Sequence, residues 1–186
     1  MTVYIALLRA VNLGSYNKVA MAELRAFVTG LGMKDAQTVV QSGNVVFRRD
    51  TAPTGRLETL LEAAAGNQLG LVTDFFVRTA REWREIIAAN PFPAEAKSDP
   101  SHLVVMPLKK APDAGALSAL RGAISGREVV HTRGREAYFV YPDGIGPSKL
   151  TTALIERKLG TRGTARNWNT VLKLGALAEA GPSSKD

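Results

Sequence analysis

The sequence has no cysteine, only two histidines, and aromatic residues at just 6% of its 186 positions. Without cysteine there is no disulfide framework, no thiol nucleophile and no Cys-ligated zinc or iron–sulfur centre. His102 and His131 lack the His-x-x-x-His spacing of a metal-binding helix, and no carboxylate cluster accompanies either in the sequence. No metal site and no cofactor are therefore expected. No Gly-x-Ser-x-Gly elbow appears, which leaves a Ser-His-Asp hydrolase without support. No run approaches the ~18 apolar residues of a membrane span. The start, Met1–Arg9, has no basic n-region and Arg9 cuts its apolar run short, so it does not read as a signal peptide and a soluble cytoplasmic protein is expected. The few aromatics also argue against a single-strand binder built on stacking platforms.

What is present is ordinary for a globular protein: 45% hydrophobic and 22% charged residues. The length allows one large domain or two small ones, burying roughly 70% of the unfolded surface. Lysine and arginine number 24 against 17 acidic residues, a net charge of +7. The excess is uneven. Residues 1–95 hold 10 basic and 9 acidic residues, whereas residues 96–186 hold 14 and 8. Lys149, Arg157, Lys158, Arg162, Arg166 and Lys173 fall within 25 residues. A basic half fits an acidic partner, such as nucleic acid, a phosphorylated ligand or an acidic protein; it also fits a solvated face that keeps the protein soluble.

Hydrophobic periodicity orders the elements. Val3–Arg9 reads as a buried strand and Met21–Leu31 as a helix. Ala36–Gln41 and Asn44–Arg48 read as strands joined at Ser42-Gly43. Leu57, Leu60, Leu61 and Ala64 mark a helix ending near Gly66–Gly70, and Leu71–Arg78 reads as a strand. Thr79–Asn90 reads as a helix capped by Thr79, with Trp83, Ile86 and Ile87 on its apolar face. The second half repeats the order: strand His102–Leu108, helix Asp113–Ile124, strands Glu128–His131 and Glu136–Tyr141 around Arg133-Gly134, helix Ser148–Leu159, a short strand Thr164–Asn167, and a helix Thr170–Ala180 capped by Asn169.

The two halves keep register. Gly43 and Gly134 are 91 apart, whereas the first strands, near Val3 and Leu103, are 100 apart. About nine extra residues thus precede the first hairpin, and the loop Ala10–Ala20 is their natural place. The expected fold is α+β: a tandem duplication of a ferredoxin-like β-α-β-β-α-β unit with an extra helix after each and antiparallel sheets, helices on one face and the other face available. The expected division is 1–95 and 96–186, with a linker near Pro91–Pro100. The tail from Gly181 reads as frayed.

Four segments are candidates for chemistry. The extra loop offers Arg9, Asn12, Tyr16 and Lys18 on a segment outside the repeat. The hairpin Gln41-Ser42-Gly43-Asn44 carries amides and a hydroxyl, with Gly43 suited to positive φ. Gly144–Lys149 opens an expected helix and superficially resembles a phosphate cradle, although its spacing is not that of a Walker A motif. Arg166-Asn167-Trp168-Asn169 sets a cation beside an indole, a pair suited to stacking on and charge-pairing with a ligand. Each segment also has a purely structural reading as turn, cap or core.

The run Leu7-Leu8-Arg9…Val11-Asn12…Lys18-Val19…Met21, the block Gln41-Ser42-Gly43-Asn44-Val45-Val46-Phe47, Ser148-Lys149-Leu150, and Arg166-Asn167-Trp168-Asn169-Thr170-Val171-Leu172-Lys173-Leu174 together resemble one bacterial family, the domain of unknown function numbered 1697. The resemblance implies a compact protein of ferredoxin-like repeats and no known reaction. Ala10 and Ser15 stand where that pattern has glycine, and Ala20 where it has proline. Close backbone embrace of a phosphate relies on glycine, so Arg9, Asn12 and Lys18 remain as the carriers of recognition.

Two functions compete, with a third beside them. The first is a binding module for an anionic small ligand or nucleic acid in a cleft between repeats. Arg9, Lys18 and Arg166 would contact the anion, Asn12, Gln41, Ser42, Asn44, Asn167 and Asn169 would hydrogen-bond, and Trp168 would stack. The second is a metal-independent enzyme on a small anionic substrate, with Tyr16 or Lys18 as acid–base groups. The third is a protein-interaction scaffold that uses exposed sheet faces or edges.

Overall fold

A computed structural model describes residues 1–12 and 17–181 of the chain. The chain divides into two compact units, Met1–Ile87 with Leu172–Asp186, and Ala88–Val171. Among the described residues the architecture is α+β, with two four-stranded antiparallel sheets and seven helices.

The first unit runs β1 (Thr2–Leu8), α1 (Met21–Gly30), β2 (Lys34–Thr38), β3 (Asn44–Arg49), α2 (Thr54–Leu69), β4 (Phe75–Thr79) and α3 (Ala80–Ala88), the last residue of α3 falling in the other unit. Its sheet has the order β2-β3-β1-β4. Alternate residues Tyr4, Ala6 and Leu8 of β1, with Val45, Phe47, Phe75 and Val77, pack against Leu24, Phe27 and Val28 of α1 and Leu57, Leu61 and Ala65 of α2. The expected helical face of α2 is rotated: Leu60 is exposed and Glu58 is buried. Gly70, in the left-handed region, closes α2, whereas Gly66 lies within it.

Glu58 is buried because it has work at the sheet edge. The edge strand β4 donates Phe75 N–H to Glu62 Oε1 (2.9 Å), Val77 N–H to Glu58 Oε1 (2.9 Å) and Thr79 N–H to Glu82 Oε2 (2.7 Å). Carboxylates stand where another strand would accept, which blunts this edge. Glu58 also faces Arg78 at 3.6 Å, an ion pair with both side chains almost wholly buried. Thr79 caps α3 as expected, and Glu82 completes a reciprocal capping box with it.

The second unit runs α4 (Pro93–Ser98), β5 (Leu103–Pro107), α5 (Ala116–Ala123), β6 (Val129–Arg133), β7 (Glu136–Val140), α6 (Thr152–Leu159) and β8 (Arg166–Asn167), with sheet order β6-β7-β5-β8. Val104, Met106, Phe139 and Val130 meet Leu120, Ile155 and Leu159 in its core. Helix α7 (Trp168–Ala180) begins in this unit and continues in the first. There Gly175 brings α7 close to α3: a Cβ would lie 2.7 Å from Ile87 Cδ1, so the Ile87 side chain would have to shift to admit one.

Several sequence expectations change. The expected linker contains the short helix α4, started by Pro93. Strand β2 ends at Thr38 because Val40 turns to φ +60 and breaks the extended run. Residues 71–74 precede β4 rather than belong to it. Gly144–Lys149 does not open a helix: α6 begins at Thr152, capped by Thr151 Oγ1, which accepts Leu154 N–H. Ser148 instead donates to Glu128 Oε1 and accepts Leu150 N–H, which closes an irregular turn. Asn167, not Asn169, caps α7 through Thr170 N–H at 3.0 Å. Gly181 is buried; the rest of the tail, 182–186, lies outside the described residues. The expectation of an available sheet face also fails. Ile5, Leu7, Val46 and Phe76 on the second face of the first sheet, and Leu103, Val105, Tyr138 and Val140 on that of the second, are buried. Their near-continuous apolar runs are those of strands covered on both sides.

Candidate functional site

Seven of the surplus residues of the first repeat lie in two connections. The loop 9–20 is four residues longer than its counterpart 108–115, and the β2–β3 connection 39–43 is three longer than 134–135. The two longer connections meet. Asn12 Nδ2 donates to Val19 O (3.1 Å) and to Gln41 O (2.8 Å), while Asn12 Oδ1 accepts Val19 N–H (2.9 Å). Asn12 N–H also reaches Asn17 O at 3.1 Å. One side chain thereby closes the loop on itself and ties it to the neighbouring connection.

The backbone here is held in unfavourable conformations. Ala10, Asn12, Asn17 and Val40 all have positive φ, and for the β-branched Val40 this is costly. Gly43, at φ +76, meets the requirement that turn makes of it, and its carbonyl accepts Leu8 N–H at 2.8 Å. Asn44 is wholly buried and donates Nδ2 to Val39 O (2.7 Å) and Ser42 Oγ (2.9 Å). Arg9 is half-buried; its N–H donates to Asp74 O and its carbonyl accepts from Thr73 Oγ1.

Around these pinned turns lies a cavity of about 530 Å³ lined by Asn12, Lys18, Val19, Ala20, Met21 and Gln41. Lys18 and Gln41 are exposed. Among the described lining residues Lys18 is the one that is charged, beside two amides and three apolar residues. Leu13–Tyr16, and with them the acid–base candidate Tyr16, lie outside the described residues.

The C-terminal candidates belong to the second unit. Arg166 is only 8% exposed, with Nη1 donating to Thr164 Oγ1 (2.9 Å) and Ala165 O (2.8 Å). Burial pulls its guanidinium down to about 10. Trp168 is buried as well, and its backbone N–H donates to Pro100 O at 3.2 Å. Asn167 is consumed in part by the α7 cap, while Asn169 is exposed.

Residues 1–138 match the family model described as a protein of unknown function (DUF1697). The chain belongs to this family. Among solved structures, a conserved bacterial protein from Streptococcus pneumoniae is similar to this DUF1697 chain over 95% of its length and 98% of its own, with a TM-score of 0.73 and 22% identity, a likeness of fold. No curated protein matches the sequence. The family match contains the whole of the Asn12–Lys18–Gln41 pocket and stops short of Ser148 and Arg166.

Other sites were not anticipated. His102 Nδ1 stands 2.7 Å from Asp99 Oδ2, three residues earlier, and that bond holds the Asp99 carboxyl below the usual range. The spacing was legible; the turn that brings the two together was not. Arg49 Nε and Nη1 are buried without a hydrogen-bond partner among the described residues, opposite Thr2 and thus at the other end of β3 from Gln41. No described helix is long and apolar enough to cross a membrane.

Proposed function

We propose that this DUF1697 protein is a binding module for a small anionic ligand, seated in the first-unit pocket against Lys18 and Gln41, on a scaffold of two ferredoxin-like repeats. The element order β-α-β-β-α-β in each unit and the matching sheet orders support the scaffold reading. The observation that carries the site is the Asn12 staple. Asn12 spends both amide hydrogens and an oxygen lone pair on backbone. It therefore acts by positioning, and the exposed Lys18 and Gln41 are left to meet a ligand. Backbone strain concentrated in such turns is a feature of preorganised sites. A single cation among the described lining residues, beside apolar Val19 and Met21, fits one carboxylate or phosphate on a partly apolar body.

The test is a thermal-shift series with inorganic phosphate, sugar phosphates and nucleotides. A true ligand at a hundredfold excess over its dissociation constant stabilises by about 2.7 kcal/mol. Lys18→Gln should abolish the shift and leave the unliganded melting temperature unchanged, because Lys18 is exposed. A shift that survives Lys18→Gln, or no shift with any of these anions, rejects the site. Arg166→Ala is a poor control, since removing a buried, hydrogen-bonded guanidinium perturbs the fold itself.

A second reading, nucleic-acid binding, has its own observation in the second unit. A groove of about 580 Å³ there is lined by Lys109, Lys110, Arg157 and Arg162 against one carboxylate, Glu156, which accepts Gly163 N–H. Binding at this groove should fall steeply with salt as counterions are released, and Lys110→Glu with Arg157→Glu should remove it. Oligonucleotide binding that is insensitive to both changes would reject this reading.

A further inference from the structure

Strands of 5 residues form three of the sheet edges: β2 and β4 in the first unit and β6 in the second. Two of these edges are closed by side chains. The outward N–H groups of β4 are taken by Glu62, Glu58 and Glu82. On β6 the outward carbonyl of Val130 accepts from Arg121 Nε (3.3 Å) and Nη2 (3.1 Å). Such plugs deny an edge to another chain. Among the described residues β2 has no such plug.

The register shows which groups β2 leaves open. Val39 N–H donates to Asn44 O at 3.1 Å, and Gln37 and Thr38 stand opposite Val46 and Val45. Bonded pairs in an antiparallel ladder recur at every second residue, so Gln37 bonds toward β3 while Thr38 turns its N–H and C=O away from it. Ahead of Gln37 the register slips: Asp35, at φ +53, and Ala36 both fall opposite Phe47. Phe47 bonds toward β1, as the Leu8 N–H to Gly43 O bond fixes by the same alternation, so Ala36 also lacks a rung on β3. No described side chain takes up the backbone of Ala36 or Thr38. The bulge and the exposed Lys34 guard the start of the strand, and Ala36–Thr38 lies beyond them.

Space for a further strand lies beside these groups. A groove of about 1130 Å³ runs along Asp35–Thr38, with Ala22, Arg25, Ala26 and Thr29 of α1 on one side and Leu177 and Ala180 of α7 on the other. These wall residues are exposed, except for the half-buried Leu177, so the groove is open to solvent. Helix α1 covers the face that carries Ala36, Val45 and Phe47, and the end of α7 reaches the opposite face, where Gly181 lies against Arg48. Walls on both faces admit a lone extended segment and obstruct a folded domain. The described lining holds two charges. Asp35 is paired with Arg48 at 3.5 Å, whereas Arg25 is in no ion pair among the described residues.

We infer that β2 is a docking edge for an extended acidic segment of another protein, added antiparallel as a fifth strand. The guest residues opposite Ala36 and Thr38 exchange N–H···O bonds with them and point their side chains toward α1, where small residues leave room and Arg25 meets a carboxylate. The residue between them points to the α7 side and packs an aliphatic side chain on Leu177. This surface shares no described lining residue with the anion pocket and does not depend on it.

The test uses the peptide acetyl-Val-Glu-Val-Thr-Val-amide, titrated to its solubility limit into the ¹⁵N-labelled full-length protein. The Ala36 and Thr38 amides should exchange freely with solvent in the unliganded protein and become about tenfold or more protected by the peptide, while the Val39 amide, already bonded to Asn44 O, changes little. The same peptide N-methylated at its Glu and Thr, the residues opposite β2's open groups, should not bind. Arg25→Glu should weaken the peptide about tenfold and favour a version with Lys in place of Glu. Thr38→Pro, at an edge position whose lost N–H faces outward, should weaken binding about tenfold. Ala26→Trp, at an exposed position, fills the groove from α1 and serves if Thr38→Pro does not fold. Unchanged exchange at Ala36 and Thr38, equal binding of the N-methylated peptide, or binding indifferent to Ala26→Trp overturns the proposal. So does protection of both amides before peptide is added: if it rises with protein concentration the edge belongs to a second copy, and if it does not, to the chain's own remaining residues.

Discussion

Gly43→Ala tests the geometry of the pinned turns most sharply. Gly43 sits at φ +76, and an added Cβ would lie 2.5 Å from Val11 Cγ2 and 3.0 Å from Leu8 Cβ. Two costs follow. The left-handed conformation costs a non-glycine residue roughly 1–2 kcal/mol. Forcing a methyl into a filled space costs about 1–3 kcal/mol more, because Leu8 and Val11 are buried and have little room to yield. The expected loss is about 2–5 kcal/mol, read by urea denaturation. Hydrogen exchange at the Leu8 amide, which donates to Gly43 O, should rise with it. Val11→Ala removes the obstructing methyl and by itself costs about 1–3 kcal/mol. If the clash is real, the double variant recovers roughly 1–2 kcal/mol relative to the sum of the singles, leaving the conformational cost in place. A loss under about 1 kcal/mol in Gly43→Ala, or strict additivity in the cycle, refutes the reasoning.

Three further outcomes are expected. Glu58→Ala leaves Arg78 buried without its carboxylate and Val77 N–H without its acceptor, and should cost about 3–5 kcal/mol in equilibrium unfolding. Asn167→Ala should cost about 1 kcal/mol through loss of the α7 cap, while Asn169→Ala should change stability by less than about 0.5 kcal/mol in the same assay. Burial, with a smaller contribution from Glu128, pushes the Tyr141 phenol up to about 12, above its ordinary value near 10. Because the folded value is raised, this contribution is complete below about pH 10 and lost as pH rises through about 12. The total is roughly 2–3 kcal/mol, and Tyr138, raised for the same reason, adds in the same direction. Denaturation curves across that range, compared with Tyr141→Phe, check it.

The repeat was legible because it is written in local patterns. Alternating or continuous apolar runs and 3.6-residue stripes locate each element within a few residues, and the spacing between Gly43 and Gly134 matches the repeated element order. The misreadings have one origin. Val39-Val40 has strand composition, yet the chain turns there because Asn44 binds Val39 O and Val40 takes positive φ. Gly144–Lys149 has the residues of a helix start, yet Ser148 is claimed by Glu128 twenty residues away. Leu60 fits an apolar stripe, yet Glu58 holds the buried face because β4 needs an acceptor.

The candidate site divides in the same way. Surplus length in the first repeat, the polar character of 9–18 and 41–44, and the family resemblance are properties of the sequence. Which of those polar groups remain for a ligand is not. Asn12, Asn44 and Arg166 are spent on the fold, while Lys18 and Gln41 are left exposed. Hydrogen bonds are satisfied by whichever groups tertiary contacts bring within reach, and burial depends on every element packed above a residue. The sequence by itself determined most of the elements, their repeated order and the charge of each half, because backbone preference and amphipathic period act over a few residues. Only the tertiary structure decided where the surplus residues meet and which side chains they consume, because those depend on contacts between residues far apart in the chain.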